Sequence, residues 1–145
     1  LRPTASAADL YFAITTERAL GEPCRLLAER KAAQGSAGAY LYRLDFRTPG
    51  ESLRAAHGLD VPLVFDNVAR SLSLIGSDGA KAQAVAEAMA GAWIAFARTG
   101  SPNAPGLASW PRYDARARST MLFNETSRAV SDPNGSERAL IEALP

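Results

Sequence analysis

Ala39-Tyr40-Leu41-Tyr42-Arg43-Leu44-Asp45-Phe46 is the stretch whose reading decides the fold. Tyr40, Tyr42, Leu44 and Phe46 alternate with Leu41, Arg43 and Asp45, the two-residue period of a β-strand. A strand buried on both faces would be more uniformly apolar, so the second face is expected to be only partly covered. The backbone N–H and C=O groups of a strand need partners. No equally strong strand accompanies this one, and the expectation is that most of its sheet lies outside the chain.

Working outward, the N-terminal side reads as helical. Pro23 suits a first helical turn, so a firm helix is predicted over residues 23–34, with Gly35 and Gly38 as its stop. Residues 5–14 could form a shorter helix with Leu10 and Ile14 on its apolar face. C-terminal to the strand, residues 47–56 read as loop, with Pro49-Gly50 as a turn signal. Residues 80–98 form the best helix: Val85, Met89 and Trp93 recur every fourth position, with Ala92 and Phe96 beside them. Thr99-Gly100 ends it and Pro102 blocks continuation. Trp93, Phe96 and Val85 are read as core packing, and Trp110-Pro111 with Tyr113 as a packed loop anchor. Residues 119–123 and 128–130 flank Asn124-Glu125-Thr126-Ser127 as a short hairpin. After the turn Asp132-Pro133-Asn134-Gly135, residues 137–144 are predicted to be a terminal helix with Ser136 as N-cap.

Composition bounds the function. A chain of 145 residues with 47% apolar and 21% charged residues suits a single globular domain. With net charge +1 and basic residues scattered, nothing points to a nucleic-acid partner. No apolar run approaches the length of a membrane span, and residue 1 does not open a signal-peptide pattern. One cysteine excludes an internal disulfide; Cys24, in a helical stretch, is read as a small buried apolar residue, with a reactive thiol as the lesser reading. One histidine and one cysteine argue against a zinc site, and no metal or other cofactor is expected. Asn124-Glu-Thr and Asn134-Gly-Ser match the glycosylation sequon, a frequent chance triplet. Compartment is not legible.

Three blocks carry a family resemblance. Residues 40–46 together with Ala55-Ala56-His57-Gly58-Leu59-Asp60-Val61-Pro62-Leu63-Val64-Phe65, then Trp93-Ile-Ala-Phe-Ala-Arg-Thr-Gly-Ser-Pro-Asn103, then Trp110-Pro-Arg-Tyr113, stand in consistent order and spacing. In combination they resemble the carboxylesterase/cholinesterase family (type-B carboxylesterases). The resemblance implies an α/β fold: residues 1–145 would be the C-terminal portion of one α/β-hydrolase domain. It also implies a Ser-Glu/Asp-His triad that hydrolyses small carboxylic esters without a cofactor, its members following one another in the order nucleophile, acid, histidine.

The family's histidine motif, His-Gly-x-Glu, is matched by His57-Gly58-Leu59-Asp60. His57 is thus the candidate catalytic base. Imidazole suits this work because its ordinary pKa near 6.5 lets it take the serine proton and return it to the leaving alkoxide. Gly58 would give room for a tight chain path. Leu59, at the variable position of the motif, would line the pocket near the reacting ester. Asp60 stands where Glu is more usual; it keeps the charge, shortens the reach, and reads either as a supporting carboxylate or as an ordinary helix-start Asp.

Two serines imitate a nucleophile elbow. Gly50-Glu51-Ser52 begins like one, but Arg54 occupies the position of the second glycine and Thr48-Pro49 separates it from the strand. Ser36, in Gln34-Gly-Ser-Ala-Gly38, lacks the first glycine and leads into a strand, not a helix. No Gly-x-Ser-x-Gly occurs, no glycine-rich oxyanion loop precedes it, and Asp9 and Glu17 stand in no recognisable context for the acid. The expectation is that the chain begins after the acid and is inactive alone. An upstream part of the same enzyme, in the same or a separate chain, would supply nucleophile, acid and oxyanion hole. The alternative is a non-catalytic binding or adhesion module of the same superfamily.

Overall fold

The computed structural model describes residues 4–48, 55–76 and 79–143. The strand reading holds: β1 spans Leu41–Leu44. It is not an orphan. It pairs in parallel with β2 (Ser119–Phe123), Tyr42 opposite Met121 and Leu44 opposite Phe123. The predicted hairpin forms: β2 pairs antiparallel with β3 (Arg128–Ser131), Thr120 opposite Val130. The sheet order is β1-β2-β3. The expectation that the sheet lies mostly elsewhere is corrected to this extent: β1 finds one neighbour inside the chain, and among the described residues its other edge carries no strand.

A parallel pair requires a long crossover. Here it contains α3 (Asp60–Val64), a short 3-10 turn (Val68–Arg70), α4 (Leu72–Ile75) and the long α5 (Gly79–Thr99). α5 buries Ala82, Val85, Ala86, Met89 and Ala92, one helical stripe, against α3 and the inner sheet face. Phe46, Leu59, Leu63, Ile75, Trp110, Met121 and Phe123 complete this core. β1 contributes Tyr42 and Leu44 to it from one face, and Tyr40, just before the strand, adds to it. From the other face Leu41 packs on a small second cluster of Ala28, Ala39 and Tyr113. All four β1 residues are half-buried, in keeping with the partial cover read from the alternation.

N-terminal to the sheet, α1 (Ala7–Thr16) is capped by Ser6, whose hydroxyl accepts from the Asp9 N–H. The chain does not break before Pro23. A π turn (Glu17–Gly21) joins α1 to α2 (Glu22–Ala33), with Pro23 in the first turn of α2. Proline has no N–H to donate and crowds the carbonyl four residues back, and widening that turn accommodates both. Gly35 ends α2 at φ +70°. Cys24 is exposed, not buried as expected. Ala28, one turn further on, is the position at which α2 meets the sheet. The terminal helix α6 runs Gly135–Glu142, two residues earlier than predicted. Asn134, not Ser136, holds the N-cap position, and its carbonyl accepts from the Arg138 N–H.

Candidate active site

His57 lies on a turn between β1 and α3. Residues 49–54, including Pro49-Gly50 and Ser52, lie outside the described residues. The turn is built from two overlapping hydrogen bonds: the Leu59 N–H donates to the Ala56 carbonyl at 3.1 Å, and the Val61 N–H to the Gly58 carbonyl at 3.2 Å. Between them Gly58 adopts φ +88°, a left-handed conformation that side chains oppose. Beyond its two chain neighbours, no atom of the described residues would come within 4 Å of a Cβ at Gly58. Within the described residues, the backbone angle is the reason for glycine.

The motif is anchored from below. Leu59 is 0% exposed and sits in the core with Leu63 and Phe46. Pro62 and Leu63 are buried in α3. His57 itself is exposed. The alternation of burial along the motif thus turns the imidazole outward while the next-but-one side chain plugs the core. Leu59, expected beside the reacting ester, has all of its surface covered by core residues.

Asp60 is both a helix-start residue and a bonded carboxylate. It opens α3, where the positive end of the helix favours an anion. The Tyr42 hydroxyl donates to its Oδ2 at 2.7 Å across 18 positions of sequence. Tyr42 is gripped edge-on by Trp93 of α5 at 4.9 Å and by Phe123 of β2 at 5.9 Å. Burial of the phenol, then its hydrogen bond to Asp60, then the Asp60 charge push the Tyr42 pKa well above the ordinary 10.0, so it remains a proton donor at neutral pH. Sequence reasoning missed Tyr42 as a site residue. Its only signal was an aromatic with a polar tip on the core face of the strand.

Trp110 and Tyr113 are buried as expected for a loop anchor. The Asn103 side chain clamps Trp110 at two points, accepting from its N–H at 2.7 Å and donating to its carbonyl at 3.0 Å. Tyr113 donates its N–H to the Ala39 carbonyl and so extends the start of β1. Ser36 is exposed at the end of α2, before the strand. A cavity of about 250 Å³ opens between α5 and the hairpin turn, lined by Ala84, Ala88, Leu107 and residues 124–127. Neither His57 nor Asp60 lines it. No helix of the described residues is long and apolar enough to cross a membrane.

A small mixed sheet, a helical crossover packed on it and an outward histidine on the turn after a strand define the class: this is the architecture of part of an α/β-hydrolase, and it fits the C-terminal part. The sequence pattern of the carboxylesterase family matches residues 3–139, and the chain belongs to that family. Para-nitrobenzyl esterase of Bacillus subtilis (strain 168) is 28% identical over 123 residues, covering 77% of this chain and 23% of that protein. The crystal structure of a carboxylesterase of Geobacillus stearothermophilus superposes with a TM-score of 0.79 at 36% identity, over 94% of this chain and 28% of that one. An esterase of Clostridium hathewayi, described as able to hydrolyse aliphatic aromatic polyesters, superposes with a TM-score of 0.73 at 26% identity, over 98% and 28% of the two chains. The chain thus spans about a quarter of the length of these relatives.

Proposed function

We propose that the chain is the C-terminal part of a carboxylic-ester hydrolase and that His57 is its general base. The nucleophilic serine, the triad acid and the oxyanion hole would come from a preceding part of the same enzyme. One observation carries the reading: the chain's single histidine projects from a turn whose neighbouring residues, Leu59 and Asp60, are tied to core and strand. A base that meets a nucleophile held by another segment needs an accessible ring on a fixed support.

In that role the neutral imidazole takes the serine proton as the hydroxyl attacks the ester carbonyl, then returns it to the departing alkoxide. Water repeats the sequence on the acyl-enzyme, and the acid leaves. Leu59 holds the turn from beneath; Asp60 keeps α3 against β1. No cofactor is required for this chemistry, because proton transfer and covalent catalysis by side chains suffice.

The test is hydrolysis of p-nitrophenyl acetate by residues 1–145 alone and by the same residues joined to their upstream partner. The isolated chain is expected to show no His57-dependent turnover. In the joined enzyme His57→Gln lowers kcat by about 10⁴-fold or more, the scale of losing one member of a triad. Turnover by the 145 residues alone, lost on His57→Gln, would overturn the division of labour.

A further inference from the structure

We propose that Tyr42 is a positioning residue for His57, holding the histidine turn to the sheet through the carboxylate of Asp60. The inference rests on the reading of His57 as base and extends it to a residue outside the His-Gly-Leu-Asp motif.

From β1 the covalent route to His57 runs through the whole of residues 45–56. The non-covalent route is short: Tyr42 Oη to Asp60 Oδ2 at 2.7 Å, then three residues back along the turn. Each end of this link is fixed. At one end the phenol stands on β1, which is paired to β2, and its ring is held between Trp93 and Phe123. At the other, Asp60 begins α3, whose Pro62 and Leu63 are buried. The hydroxyl therefore transfers the position of the sheet to the turn. An aspartate, one methylene shorter than glutamate, cannot reach far; the length of the tyrosine side chain closes that gap.

Catalytic geometry tolerates little slack, since a misplacement of about 1 Å costs on the order of 100-fold in rate. Leu59 fixes the depth of the turn by filling the core. A greasy plug does not fix rotation of the turn about its own axis, whereas a directional hydrogen bond at Asp60 does. Tyr42 and Leu59 thus restrain different motions of the same imidazole.

The experiment uses the intact enzyme that carries this chain, with p-nitrophenyl acetate as substrate. Tyr42→Phe keeps the ring contacts and removes only the hydroxyl. It is expected to lower kcat by about 10-fold with KM changed less than about two-fold, because ground-state binding does not use the base. Asp60→Ala is expected to do the same, and the double variant to be no slower than the slower single, the signature of one shared interaction. Hydrogen exchange followed by mass spectrometry, on the peptide containing residues 57–64, is expected to quicken in Tyr42→Phe while α5 is unchanged.

Unchanged exchange and unchanged kcat in Tyr42→Phe, with His57 essential, would overturn the positioning role alone. Additive losses in the double variant would overturn it too. Full turnover in His57→Gln would instead overturn the base assignment, a separate result.

Discussion

At Gly58 the backbone, not the neighbourhood, selects the residue: φ is +88° and, beyond its two chain neighbours, an added Cβ would meet nothing within 4 Å among the described residues. Gly58→Ala is therefore expected to cost about 1–2 kcal/mol, the left-handed penalty alone. Gly58→Asn should cost less, because a short polar side chain tolerates that region. Urea denaturation of the two variants checks this order, and equal losses would point to a contact instead. Tyr42 makes a second prediction. Its raised folded pKa means that, above the ordinary 10.0, the unfolded phenol loses its proton while the folded one keeps it. Stability is thus fully present below pH about 10 and falls as pH rises further. Thermal melts from pH 8 to 11 should show this fall, shallower in Tyr42→Phe. Tyr113, raised by burial and then by the Glu29 charge, leaves the variant a residual slope.

Among the elements, α6 is held differently from α5. α5 buries a continuous stripe, whereas α6 buries no residue. Instead Arg138 donates to Asp132 at 2.9 Å and to Glu142 at 3.0 Å, and Arg25 of α2 donates to Glu142 at 2.6 Å. Glu142 is 41% exposed, so screening discounts these pairs, and their combined worth is about 1 kcal/mol. Exchange of the α6 amides should accelerate in Arg138→Ala and in 1 M salt, where the screening length is about 3 Å, while α5 stays protected. Protection of α6 that ignores both would show that burial holds it after all. The same contrast explains what the sequence disclosed. β1, α5 and the hairpin carry strong periodicity or turn chemistry, and all three were legible. α3, α4 and the 3-10 turn are too short to show a period. The π turn answers to Pro23, and the exposure of Cys24 to which face of α2 meets the sheet; neither is a local property. The histidine motif was legible only through family resemblance, since one histidine has no pattern of its own. The Tyr42–Asp60 bond joins positions 18 apart, and nothing in either neighbourhood announces the other.

For the molecule as a whole, the apolar surface is the quantity that governs association. One main core and a small second cluster form, yet large apolar side chains also stand in the open: Tyr11 and Phe12 on α1, Leu27 on α2, Val61 on α3 and Phe65 at its C-terminal end, Ile94 on α5. Scattered singly, such residues are ordinary on a protein surface. Here Tyr11 and Phe12 are adjacent, at 64% and 56% exposure, and Phe65, at the C-terminal end of α3, reaches 77%. The chain spans about 28% of its solved relatives, and the free edge of β1 offers unpaired backbone among the described residues. Bare apolar faces and an open strand edge are together a prescription for association. Residues 1–145 expressed alone are therefore expected to elute above monomer size, and light scattering across a concentration series gives the mass directly. Tyr11→Ser with Phe12→Ser should lower that mass if α1 supplies the contact. If only these residues matter, the free strand edge is quiet; if the double variant still associates, the edge of β1 is the next surface to block. A monodisperse monomer with a cooperative melt would mean that the core between α3, α5 and the sheet suffices, and that the exposed faces need no cover.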